Sequence, residues 1–153
     1  MTSEVMAGCR TGGILRAMRP SGSLVVSCLL AVVGIIHLLP LPGVLGPERL
    51  RLLYGIPLDD PNLVLLMRHR AVLFGLLGAL LLYAAWRPSL VPLALMAGWA
   101  SVAAFLVLAA LQPGLNAALA RVVTADVLAA FCLAVATALW AWQRHGWAAR
   151  TPG

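Results

Sequence analysis

The chain of 153 residues contains no lysine, and its eleven basic residues, all arginine, face only five acidic ones. Charged residues make up 10% of the sequence, against about 25% in ordinary soluble domains. That scarcity excludes a water-soluble globular enzyme and a charge-rich disordered chain. The three cysteines, Cys9, Cys28 and Cys132, form no CxxC pair and no metal-ligand spacing, which excludes a disulfide scaffold and a zinc module. Cys28 and Cys132 lie inside apolar runs, where cysteine behaves as a small hydrophobe. There is no GxSxG, Walker loop, GxGxxG or HExxH, and no pair of histidine ladders for haem. The reading leans away from an enzyme and expects no catalytic residue, no metal and no cofactor.

What the chain has instead is apolar residue: 62% hydrophobic, with a mean hydropathy of +0.96. The net charge of +6 is spread along the chain near the ends of apolar runs. It is not gathered into one basic face, so the partner it implies is the lipid bilayer and not nucleic acid. A hydrocarbon core of about 30 Å takes roughly 20 helical residues, and four runs qualify, at about 22–40, 62–86, 90–111 and 119–142. Backbone groups in hydrocarbon must pair within their own segment or in a closed barrel, so the expected fold is all-α, an integral membrane four-helix bundle. A flexible basic tail is expected over 1–21, with Met18 as an alternative start, and a basic C-terminal tail over 143–153. The first run lacks a small-x-small cleavage site before Pro40-Leu41-Pro42-Gly43 and reads as a retained helix.

The connections differ in length. Arg87-Pro88-Ser89 makes a tight hairpin, and Gln112 to Ala118 is short. Residues 41–61 form one long outer loop, within which 47–54 is amphipathic and closed by Gly55. Asp60 is placed to cap the second span and Pro61 to occupy its first turn. An even number of spans puts both termini on one side. That side carries six arginines (Arg10, Arg16, Arg19, Arg87, Arg144 and Arg150) against five on the other, together with Trp86, Trp140, Trp142 and Trp147. The positive-inside rule and the aromatic belt place both termini in the cytoplasm, in a cell inner membrane. Small residues recur at helical spacing: Ala71, Gly75, Gly78 and Ala79 on the second span, Ala94 and Gly98 on the third, Ala134 and Ala138 on the fourth. Such stripes let backbones approach within one chain or across a homo-oligomer or partner interface.

One polar constellation stands out. Counting back at about 1.5 Å per residue, His37, Arg68, His69, Arg70 and Asp126 collect in the outer leaflet. Arg68 and Arg70 are about 200° apart around a helix, so one faces the bundle and the other does not. Asp126 is too short to snorkel, and should face inward with Arg70 as first partner and Arg68 as second. Three readings follow: an Arg70–Asp126 ion pair that fixes helix register, a small outward pocket with a cationic mouth for an anionic or quinone-like amphiphile, or a proton relay through His37, His69 and Asp126, which has no matching set in the inner half of the bundle. A lone helix-end His37 meeting water or a backbone carbonyl is the plain reading of that residue.

Tyr54-Gly55, followed by Met67-Arg68-His69-Arg70-Ala71-Val72-Leu73-Phe74-Gly75-Leu76-Leu77-Gly78, resembles the small four-helix bacterial membrane proteins of the DoxX-like type, over about residues 22–142. The resemblance implies a four-helix bundle and no particular reaction. Similar short sequences sometimes carry the name phosphopantetheine adenylyltransferase. That name needs an HxGH motif on a doubly wound α/β fold, and none of the three histidines here stands in one. The function expected is a non-catalytic membrane protein that binds a small amphiphile or a partner membrane protein. The alternatives are an accessory subunit of a redox or transport system, and a purely structural bundle.

Overall fold

A computed structural model describes residues 21–148, and the side chains of 23–145. The tail expected over 1–21 lies, apart from Ser21, outside the described residues. Every regular element among the described residues is helical: α1 Ser21–Leu38, α2 Pro47–Tyr54, α3 Pro61–Trp86, α4 Val91–Leu111 and α5 Ala117–Ala148, with 3-10 turns at Leu41–Leu45 and Pro88–Leu90. Four segments are long and apolar enough to cross a membrane: 23 residues at Ser23–Leu45, 26 at Pro61–Trp86, 24 at Pro88–Leu111 and 29 at Ala117–His145. Their outer surfaces are apolar too. Met96 is 71% exposed and Phe131 67%, which leaves a hydrophobic exterior far beyond the patches tolerated in water.

Local chemistry sets the helix ends. Asp60 accepts a hydrogen bond from the Asn62 amide at 2.8 Å, and Pro61 opens α3. Arg87 precedes a proline, is driven to extended backbone (φ −117°, ψ 91°) and ends α3. Gly55 closes α2 in the left-handed region (φ 62°, ψ 31°), with its amide donating to the Arg51 carbonyl at 2.8 Å. A side chain would strain that backbone. The long connection expected over 41–61 is therefore not open chain: a 3-10 turn and α2 fill most of it. α5 runs six residues past the expected end at 142, because polar Gln143 and Arg144 end an apolar run without ending a helix.

α1 packs against α3 and α5, and α4 closes on α3 and α5. The seams follow helical spacing. Val26, Leu30, Val33 and His37 are buried on α1, and Asp126, Ala129, Leu133 and Ala136 on α5. Of the small residues singled out above, Ala71, Gly75 and Gly78 on α3 and Ala94 and Gly98 on α4 are buried. Ala79 is exposed, as are Ala134 and Ala138. Each step of four residues turns the helix by 400°, so Ala79 stands about 80° round from Ala71 while Gly78 stands only about 20° away. The backbones of α1 and α3 approach closely where they cross: a Cβ added to Gly78 would lie 2.8 Å from the Gly34 carbonyl oxygen. Between α4 and α5, the Trp99 indole donates to Thr137 Oγ1 at 3.2 Å, and Thr137 donates onward to the Leu133 carbonyl at 2.7 Å.

A second apolar cluster, built on Leu50, Tyr54 and Leu58, seats α2 over the N-terminal ends of α3 and α5. Arg51 braces the chain around it, reaching Glu48 at 3.0 Å and Asp59 at 2.6 Å. Asn116 ties α2 to α5. Its Oδ1 accepts from the Leu119 amide at 2.8 Å, capping α5, and its Nδ2 donates to the Tyr54 carbonyl at 3.0 Å. One side chain thus satisfies orphan groups at two helix ends. Asn116→Ala is expected to lower unfolding stability by about 1–2 kcal/mol, the upper range for a lost cap. Thermal unfolding in detergent checks this, with Asn116→Asp, which keeps the cap but loses the tether, falling between.

Candidate functional site

At the end of the molecule that carries α2 lies a cavity of about 190 Å³ between α1, α2, α3 and α5. His37, Tyr54, Arg70, Arg121 and Asp126 line it, with apolar walls from Ile36, Leu39, Leu53, Phe74 and Val122. His37 and Asp126 each occupy the next core position of their own helix seam. That is why two polar side chains, 2% and 7% exposed, are buried at all.

His37 sits in the last turn of α1, and its Nδ1–H donates to the Val33 carbonyl at 2.9 Å. A carbonyl can only accept, so Nδ1 carries a proton and donates it. Nε2 is buried without a hydrogen-bond partner. The ring packs on Phe74, centroid to centroid 5.6 Å. A buried polar atom without a partner costs about 1–3 kcal/mol, so its position invites a hydrogen bond from a bound molecule.

Arg70 projects from the first third of α3. Its guanidinium carbon lies 5.0 Å from the Phe74 ring centroid, 5.5 Å from that of Phe105 on α4 and 5.6 Å from that of Tyr54 on α2. Three electron-rich faces hold the cation in place of a carboxylate. The ion pair expected between Arg70 and Asp126 is not formed: the ion pairs among the described residues are Arg51–Glu48 and Arg51–Asp59. The reason is the cage. Phe74, one turn along α3, and the rings of α2 and α4 take the guanidinium, and the carboxyl of Asp126 is left facing the cavity. The Arg70 guanidinium also acts on Tyr54: burial pushes the phenol above its ordinary value, and the nearby cation pulls in the opposite direction by a smaller amount.

The other residues of the sequence constellation lie elsewhere. Arg68 is exposed, and its Nε donates to the Val44 carbonyl at 2.9 Å, pinning the 3-10 turn to α3. His69 is exposed and does not line the cavity. The turn of about 200° from residue 68 to 70 separates the two arginines as expected. His37, Arg70 and Asp126 come together, while Arg68 and His69 stay outside. Sequence reasoning missed Phe105, Arg121 and Asn116. An asparagine three residues before Leu119 is a readable cap signal, whereas nothing local marks Phe105 as a partner of Arg70.

Chemically, the arrangement offers one unpartnered ring nitrogen, one carboxyl, a cation at the wall and an apolar lining. A cavity of about 150 Å³ suffices for benzene, so this one has room for about one ring. No group of three or more metal-ligating side chains occurs among the described residues. The fold defines a class, a small all-helical protein with four helices fit to cross a bilayer. No family model, curated protein or solved structure matches the chain.

Proposed function

We propose that the protein is a four-helix bundle of the inner membrane, of the DoxX-like type, with both termini cytoplasmic. Its cavity in the outer leaflet binds the head group of a small amphiphile. The observation that carries this reading is the convergence of the unpartnered His37 Nε2, the unpaired Asp126 carboxyl and the caged Arg70 on one cavity under α2. A structural role for the same residues would have them close on one another, which Arg70 and Asp126 do not do. The apolar walls suit the carbon skeleton of an amphiphile. The polar groups suit a head that both donates and accepts hydrogen bonds, such as a phenol, a quinone-like ring or an acid. The function is binding without catalysis, and it needs no cofactor of the protein's own.

The test is mass spectrometry of small molecules extracted from protein purified in native membrane discs, with Arg70→Gln beside the wild type. A compound present at about one per chain and reduced about tenfold or more in the variant is the expected result. Bulk lipid alone in both samples would remove the pocket reading.

A further inference from the structure

The opposite end of the molecule, where α1 begins and α5 ends, holds a larger cleft of about 610 Å³. The hairpin between α3 and α4 forms one wall. Its polar lining includes the hydroxyls of Ser23, Ser27 and Ser89, the Gln143 amide and the Arg144 guanidinium, all of them able to donate hydrogen bonds. None of the described residues lining it is acidic. The Gln143 Nε2 is buried without a hydrogen-bond partner. Arg144 is exposed, and its guanidinium carbon lies 5.0 Å from the centroid of the Trp140 ring, which also lines the cleft. The rest of the wall includes Val26, Ala84 and Val91, which are buried and apolar.

We infer that this cleft is a binding site for the phosphate head group of an anionic phospholipid. The reasoning is complementarity on two levels. A set of groups able to donate, with a guanidinium beside Trp140 and no carboxylate, matches an anion rich in acceptor oxygens. The apolar residues at the same end, Val26, Val91 and Pro92, suit the carbon next to such a head group. The cleft also sits at the helix ends that the arginine and tryptophan distribution assigns to the cytoplasmic leaflet, where anionic lipids meet basic residues. The inference rests on the membrane-spanning reading of the helices. It is independent of the ligand of the His37–Arg70–Asp126 cavity.

The experiment is native mass spectrometry of the full chain, delipidated in detergent and titrated with phosphatidylglycerol or with phosphatidylcholine of the same acyl chains. One phosphatidylglycerol is expected to bind with a preference of about tenfold over phosphatidylcholine. Arg144→Gln and Gln143→Leu should lose the preference, Arg144→Lys should keep part of it, and Arg70→Gln should leave it intact. Unfolding temperatures of the variants, read by tryptophan fluorescence, separate loss of binding from loss of fold. Equal binding of the two lipids, or an undiminished preference in folded Arg144→Gln, would overturn the inference. Inorganic phosphate alone binding at the same site with the same dependence on Arg144 would make the ligand free phosphate and overturn the lipid assignment. Failure of the membrane reading itself shows separately, as release of the protein from membranes by alkaline carbonate.

Discussion

Gly78→Ala is expected to lower unfolding stability by about 2 kcal/mol, although alanine is the better helix former by about 1 kcal/mol. The added Cβ would lie 2.8 Å from the Gly34 carbonyl oxygen and 2.9 Å from Leu38 Cγ. A backbone oxygen cannot rotate away, so α1 and α3 must separate along the crossing, and the packing of Val33 and Leu81 loosens with them. Gly75→Ala is the matched control. Its Cβ meets the Leu41 Cδ1 at 2.6 Å, the tip of a flexible side chain in the 3-10 turn, which can change rotamer. Equal helix-propensity gains at both positions cancel in the comparison, and the difference reports the crossing alone. Gly75→Ala should therefore stay within about 0.5 kcal/mol of wild type. Thermal unfolding of the two variants side by side decides the matter: equal stability would mean that the α1–α3 approach is looser than 2.8 Å implies.

His37→Leu is expected to leave the unfolding temperature unchanged or raise it, while the compound held in the cavity is lost by about tenfold or more. The two effects separate because only one of the two ring nitrogens has a partner in the protein. Nδ1–H has the Val33 carbonyl, and Nε2 has no hydrogen-bond partner. Leucine removes the unpartnered ring nitrogen, worth about 1–3 kcal/mol, and gives up one hydrogen bond worth about 1 kcal/mol. It also continues the apolar seam of Val26, Leu30 and Val33. A residue kept for packing would not behave this way. If His37→Leu unfolds at a much lower temperature and retains the compound, the histidine is structural and the site lies elsewhere. Asp126→Asn completes the picture: it keeps the shape but replaces one carboxyl oxygen by an NH2 donor, so a ligand that needs the carboxyl is lost while the fold holds.

A large part of this molecule can be read along the chain. Four apolar runs, the Asp60-Pro61 start, the Arg87-Pro88 stop and the Gly55 closure all depend on residues within a few positions of one another. Backbone sterics and the cost of unpaired amides in an apolar medium act at that range. The buried positions of His37 and Asp126 are legible for the same reason, since each continues a seam at spacings of three and four. The separation of Arg68 from Arg70 follows from helical pitch alone.

Pairing between helices is a different kind of information. Arg70 lies among Tyr54, Phe74 and Phe105 because α2 folds back over the α3 and α5 ends and α4 packs beside α3. Those placements depend on the whole set of seams closing at once. A sequence can nominate Asp126 as the nearest opposite charge, but only the assembled helices set three rings around the guanidinium and leave the carboxyl at the cavity without an ion pair. The same holds for Gly78, whose importance lies in the Gly34 carbonyl opposite it, and for Ala79, which a four-residue stripe would include and helical drift turns outward. Local chemistry determines where each helix begins, ends and hides its apolar side. The distances that make a site arise from helices meeting across long separations in sequence, where side-chain volume and interhelical packing have the final say.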